Sequence, residues 1–271
     1  MRLKIFTIKS DHTQDKVLAY LLYYEKAKQF YIELPPDADE WDTPLILSSF
    51  AKRGHKTINA YWSNAWVQQR IIPSDRQNIT EILRANDLDS YDEYKLLILA
   101  NGRCAQDDYY IEQIEWEKLP DDIQSRFLIR VEEIVALGEN ELLIFFRNGT
   151  TKKCNMNQIC MEARFQAILR NESLFSAARV QTDGYGITWG ENLDVGADTL
   201  YENGKDLPVS IDAFHRFAAD RITDTTGACR ILNCSRQNIS DLIRRGKLHP
   251  LRSSTSSNLF LIAELQQRQW Q

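Results

Sequence analysis

The chain is poor in the residues that build common catalytic centres. It has only four histidines, His12, His55, His215 and His249, in 271 residues. No two stand four apart and none lies in a nucleophile motif, so neither a helical zinc pair nor a catalytic triad is written here. A Gly-rich phosphate loop and a dinucleotide fingerprint are missing too. No apolar run approaches the roughly 20 residues that a membrane helix needs. The opening MRLKIFTIKSDHTQ lacks a signal peptide's long apolar stretch and small-residue cleavage site, and reads as a strand. The five cysteines, Cys104, Cys154, Cys160, Cys229 and Cys234, are odd in number and scattered, unlike the dense, even sets of a disulfide scaffold. Cys229 and Cys234 could be half of a metal site, but no second pair follows at zinc spacing, which favours plain thiols. These absences lead us to expect a cytoplasmic protein with no membrane span, no metal and no cofactor.

What is present is a segregated charge. The whole chain is acidic, net −5. From Arg221 onward there are eight Lys/Arg against three Asp/Glu, net +5, and the residues before it hold 25 basic and 35 acidic side chains, net −10. A basic end on an acidic body suits a protein that meets phosphate with one part and repels it with the other. The length predicts about two domains, with room for three small ones.

Residues 1–122 read as a small α+β domain. LKIFTI, VLAYLLYY and FYIELP are strands, the last two joined by a polar turn over Glu25–Gln29. LILSSFAKRG is a short helix or strand closed by Gly54, and ITEILRANDL spaces Ile79, Ile82, Leu83 and Leu88 as a helix. YKLLILANG is either a buried strand or a helix end. Trp41, Trp62 and Trp66, with Tyr61, are read as core, with a ligand groove or partner interface as the alternatives. The charged break EKLPDD, Glu117–Asp122, marks the first boundary.

Residues 123–205 form the second α+β domain. RVEEIVAL and ELLIFFRN are strands, and Asn148-Gly149 is expected to make a type I′ turn into TKKCNM. MEARFQAILR reads as an amphipathic helix, and ITWG follows a Gly184-Tyr185-Gly186 turn. Phe146, Asn148-Gly149, Ile187, Trp189, Leu193-Asp194, Asp198 and Leu200-Tyr201 resemble the outline of an uncharacterised family of small bacterial domains. That resemblance implies a small α+β fold and partner binding, with no assigned chemistry; such domains occur alone, fused to helix-turn-helix modules and near toxin–antitoxin-like genes.

Residues 206–271 carry the clearest functional pattern. Ser210 caps a helix, IDAFHRFAADRI, whose Ile211, Phe214, Phe217 and Ala218 share one side and are expected to pack within the chain. A short helix from about Thr226 to Leu232 buries Ala228, Ile231 and Leu232. Asn233-Cys234-Ser235 breaks it, and Ser235 caps a second helix, Arg236 to Arg245, with Ile239, Leu242 and Ile243 on one face. Gly246 ends that helix, and a β-hairpin wing with a serine-rich tip, Ser253–Ser257, follows. Gly227-Ala228, Leu232, Ser235-Arg236, Ile239, Leu242-Ile243, Gly246-Lys247-Leu248-His249-Pro250 and Leu259-Phe260-Leu261 resemble the MerR/excisionase-type winged helix-turn-helix. The resemblance implies double-stranded DNA binding through the second helix and the wing.

The residues read as DNA contacts are Arg236, Gln237 and Asn238 in the first turn of the second helix, where base edges are reached. Arg244, Arg245, Lys247 and Arg252 lie near its end and the wing and suit phosphates. Asp241 is expected to pair with Arg245, four residues on. No catalytic residues are assigned. The expected function is a DNA-binding transcriptional regulator of bacterial type, working as a homodimer, with N-terminal domains for ligand, partner or dimer contacts. Two alternatives stay open. One is an antitoxin-like protein that binds a partner and autoregulates its operon. The other is a metal-dependent nuclease built on Asp107, Asp108 and Glu112. A further patch, Arg70 to Asn78, is either a phosphate site or a capped helix start at Ser74 or Asp75.

Overall fold

The computed structural model describes residues 3–13, 16–41, 43–190, 193–254 and 257–269. They form two compact units, Met1–Asn148 with Lys152–Asp206, and Gly149–Thr151 with Leu207–Gln271. The fold is mixed α+β. No helix of the described residues is long and apolar enough to cross a membrane.

The first unit opens with an antiparallel sheet of β1 (Leu3–Ser10), β2 (Ala19–Tyr24), β3 (Gln29–Glu33), β4 (Thr57–Ile58) and β5 (Tyr109–Ile114), in the order β4-β3-β2-β1-β5. The helices α1 (Leu45–Lys52), α2 (Ala60–Gln68), α3 (Ile79–Ala85) and α4 (Glu93–Leu99) fall between β3 and β5. All six residues of β2 are buried. Its side chains alternate between two cores, which is why the strand shows no polar face. Leu21 and Tyr23 join Phe6, Phe30, Ile32, Leu47, Trp66 and Leu97 on one side. Tyr20, Leu22 and Tyr24 join Ile5, Tyr31, Leu119, Ile123, Phe127 and Tyr185 on the other.

That second core unites the two parts that the sequence divides at residue 122. Leu119 and Ile123 flank the start of α5 (Asp121–Arg126), and Phe127 follows it. Beyond them lies a second sheet, β6 (Val131–Leu137), β7 (Glu141–Phe146), β8 (Thr151–Asn155) and β12 (Lys205–Leu207), in the order β12-β8-β7-β6. Short helices α6 (Met156–Ile159), α7 (Gln166–Leu169) and α8 (Glu172–Phe175) lead to a three-stranded sheet of β9 (Arg179–Val180), β10 (Gly186–Thr188) and β11 (Asp194–Gly196), followed by α9 (Ala197–Asn203). Leu142, Ile144, Phe146, Met156, Phe165, Ile187 and Leu200 fill a third core.

A polar lock sits beside Tyr185. The Tyr31 and Tyr185 rings stack at 3.6 Å. Buried Arg130 lies over Tyr185 at 3.8 Å and Phe127 at 3.3 Å, donates to the Tyr24 hydroxyl at 2.7 Å, and ion-pairs with Asp183. Asp183 also holds Arg147 at 2.5 Å. Gly184 makes this possible: its φ is +77°, and a Cβ there would stand 2.2 Å from the Val131 carbonyl oxygen.

Of the two readings of YKLLILANG the helix end is the one observed, because Asp92 caps α4 by accepting from the Lys95 amide at 3.0 Å. Other local expectations are corrected. MEARFQAILR is not one helix. It is a 3-10 turn, Ala163–Phe165, followed by α7, and Asn171 caps α8 soon after, with Phe165 and Ile168 taken into the core. Asn148-Gly149 is not a type I′ turn, which needs two successive positive φ values. Gly149 alone is left-handed there, whereas Glu139 and Asn140, in the turn before, have φ of 60° and 59°. Of the four aromatics read as core, only Trp66 is buried; Trp41 is 85% exposed.

The second unit contains α10 (Ile211–Arg221), β13 (Ile222–Asp224), α11 (Thr225–Leu232), α12 (Arg236–Arg244), β14 (Leu259–Leu261) and α13 (Ile262–Gln269). β13 and β14 pair antiparallel, Thr223 opposite Phe260. Ala228, Ile239, Leu248, Phe260 and Leu265 are its core, with Ile231, Leu232, Leu242 and Ile243 packed around them. No residue of α10 is buried, and Phe217 is 52% exposed, contrary to the expected internal packing. α10 runs into β13 without a loop, so its direction follows the sheet and not its own apolar side.

Candidate nucleic-acid interface

The second unit presents α12 on its surface for simple reasons of pattern. Ile239, Leu242 and Ile243 recur at helical spacing and point to the core. The rest of the helix must therefore face solvent. Asp224 caps α11 by accepting from the Gly227 amide at 2.7 Å. Asn233 ends it in the left-handed conformation, φ 47°. Ser235 then caps α12 through the Asn238 amide at 3.3 Å. After Arg245, Gly246 takes φ +63°, a conformation that costs a side chain but suits glycine at this position.

The sequence-derived contacts lie where that geometry puts them. Arg236, Gln237 and Asn238 are all exposed and consecutive in the first turn. Arg244, Arg245 and Lys247 are exposed at the other end of the helix. Arg252 is exposed on an isolated bridge to Leu259, where the chain returns toward β14. The middle of the serine-rich tip, Thr255 and Ser256, lies outside the described residues.

Two details differ from the expected pattern. Asp241 pairs with Arg244 at 2.6 Å, not with Arg245. The i,i+3 partner lies in the helix, whereas Arg245 is already the C-cap, where its backbone leaves the helical path. Arg236, exposed as it is, is tied on one side, since one Nη donates to the Thr226 hydroxyl of α11 at 2.9 Å. It ties the two helices together and keeps its other donors outward.

The hairpin expected after Gly246 is not formed as such. The partner of β14 is β13, which precedes α11 in the chain, and among the described residues the segment leading to β14 adds an isolated Arg252–Leu259 bridge. The alternating Ile222-Thr223-Asp224 run beside a helix end was the available signal. Three supporting residues escaped notice because their partners are distant in sequence. Glu264 on α13 lies 3.1 Å from His249 Nδ1, and Arg268 donates to the Lys247 carbonyl at 3.0 Å. Thr226 holds Arg236. The Glu264 and Arg268 contacts brace the Lys247–His249 turn.

The other sequence candidates do not assemble. Asp107 is paired with Arg70 at 2.5 Å, Asp108 accepts from Ser10, and Glu112 pairs with Lys9 at 2.6 Å. Among the described residues, no group of three or more His, Cys, Asp or Glu side chains is placed to hold a metal. Arg70 is buried, stacked 3.8 Å over Trp66, and unsuited to a phosphate site. The helix after it begins at Ile79 with Asn78 at the cap position, not at Ser74 or Asp75. Cys154 and Cys160 are buried, and burial pushes their thiols up to about 11 and about 12.

No curated protein and no solved structure matches the chain. Residues 131–217 match the model of a protein family of unknown function, DUF2442, which bears out the resemblance read in the middle segment and extends it from β6 into α10.

Proposed function

We propose that the C-terminal unit is a winged helix-turn-helix of the MerR/excisionase type, that it binds double-stranded DNA, and that the protein is a transcriptional regulator. The carrying observation is α12: a capped helix whose first turn exposes Arg236, Gln237 and Asn238 and whose far end exposes Arg244, Arg245 and Lys247. Arginine matches guanine in the major groove, and glutamine and asparagine match adenine. The net +5 from Arg221 onward supplies the phosphate attraction, and the acidic remainder of the chain discourages indiscriminate binding. One such module buries little DNA, so two copies on a pseudo-palindrome are proposed, with half-sites about one helical turn apart.

The test is fluorescence anisotropy with a duplex from the gene's own upstream region at several salt concentrations. Binding that weakens with salt, and that Gln237→Ala/Lys247→Ala reduces without lowering the melting temperature, supports the reading. No binding by the wild type at low salt overturns it. A second reading, an antitoxin-like protein that binds a partner, draws on Trp41 and Leu45, which are 85% and 88% exposed. Co-purification of one stoichiometric partner, lost on Trp41→Ser/Leu45→Ser, is its test.

A further inference from the structure

The first unit contains a cleft of about 500 Å³, in the size range of small-molecule sites. It opens at the β4 edge of the first sheet. Its floor is unusual for a structural core. Glu33 is fully buried two residues after Tyr31, on the same face of β3. It is held by Arg126 at 3.0 Å and by the Thr57 hydroxyl at 2.8 Å, with Arg130 at 3.7 Å. Arg130 is itself 2% exposed and lines the cleft; its Nη2 makes no hydrogen bond and faces Glu33, while Nη1 is taken by Tyr24 and Asp183.

Above this floor the charges are sorted. Arg53 and Lys56, on the loop between α1 and β4, are exposed and form no ion pair within the described structure. Asp194, Asp198 and Glu202 come from β11 and α9. Asp198 and Glu202 stand four apart on one helix face, a like-charge spacing that destabilises a helix unless a cation lies nearby. Neither is paired with a lysine or arginine among the described residues. Arg126 is neutralised by Glu33 and Asp122 in the same cavity, whereas Arg53 and Lys56 on one side and Asp198 and Glu202 on the other border it without neutralising each other.

We propose that this cleft binds a small zwitterion, an amino acid or dipeptide, with its carboxylate toward Arg53 and Lys56 and its ammonium group toward Asp198 and Glu202. The chemistry needs both ends. An anion alone leaves two carboxylates facing each other, and a cation alone leaves Arg53 and Lys56 without a counter-charge. The site lies wholly in the first unit and does not depend on DNA binding.

Isothermal titration calorimetry on the full chain tests it. The probes are glycylglycine, L-lysine and L-glutamine, beside succinate, inorganic phosphate and putrescine. At least one zwitterion is expected to bind with a dissociation constant below about 1 mM. Its N-acetyl form, Lys56→Met, and Asp198→Asn/Glu202→Gln are each expected to weaken binding about tenfold or more, while Lys56→Arg retains it. Lys56 and Glu202 are exposed, so Lys56→Met and the single variant Glu202→Gln keep the wild-type melting temperature, while Asp198 is half-buried and circular dichroism checks that the double variant stays folded. No heat from any zwitterion, equal affinity for the one-signed probes, or unchanged affinity in the variants overturns the proposal.

Discussion

At the scale of single residues, buried charge is the main risk the fold carries. Arg130 touches Asp183, Tyr24, Phe127 and Tyr185 and approaches Glu33. Replacing it with methionine keeps volume but takes the most buried cation from Asp183 and Glu33, leaving them Arg147 and Arg126. Arg130→Met is expected to destabilise the first unit by about 3–5 kcal/mol in chemical denaturation. Glu33 adds a pH signature. Burial raises its carboxyl above the ordinary value, more than Arg130 and Arg126 lower it. An acid with a raised folded pKa contributes stability below its unfolded pKa and loses it as pH rises toward the folded one. The stability of Glu33→Gln relative to wild type is therefore expected to improve as pH rises from about 4.5. A difference that is flat from pH 4.5 to 8 contradicts this. The thiols offer a simpler check. Cys154 and Cys160 should react with a thiol reagent only on unfolding, after Cys104, Cys229 and Cys234, which are half-exposed.

At the scale of elements, α12 depends on its two ends. Ser235→Ala removes the acceptor for the Asn238 amide and is expected to cost about 0.5–2 kcal/mol, read from the unfolding of the second unit. Gly246→Val forces a branched side chain into φ +63° and is expected to destabilise the helix end more than an alanine placed at an ordinary loop position. If α12 and the following turn meet phosphates, each cation removed should flatten the salt dependence by about 0.9 in the slope of log affinity against log salt. An unchanged slope in Arg245→Ala/Lys247→Ala would place those side chains away from DNA. Much of this element was legible in advance, because a helix of this length is specified by its cap, its apolar spacing and its closing glycine. The β13–β14 pairing was not, since the strands are three residues each and lie more than thirty residues apart.

At the scale of the whole molecule, the division at residue 122 and the division at residue 206 are physically different. A fragment ending at 122 would bare Ile5, Leu22, Tyr24 and Tyr31, which need Phe127 and Tyr185 as cover. It is expected to be aggregation-prone and to bind a hydrophobic dye, whereas a fragment ending at 206 keeps those contacts. Calorimetry of the full chain is expected to show two transitions, one for each unit, and a single two-state transition would argue against independent units.

The sequence by itself determined what is local or compositional. Capping residues, helical spacing, the apolar runs of β2 and β3, and the shift from an acidic body to a basic end all act over a few residues or over none. Tertiary structure decided what depends on partners far along the chain. Nothing near Glu33 announces Arg126 or Arg130, although a lone acid in the apolar run FYIEL was a sign that some cation must meet it. Asp107, Asp108 and Glu112 look like one cluster in sequence, yet the first two precede β5 and the third lies within it, and each has its own partner from a different part of the chain. The cleft exists only because Tyr185 and α9 fold back onto the first sheet, and such long-range closure leaves no periodic trace in the chain that makes it.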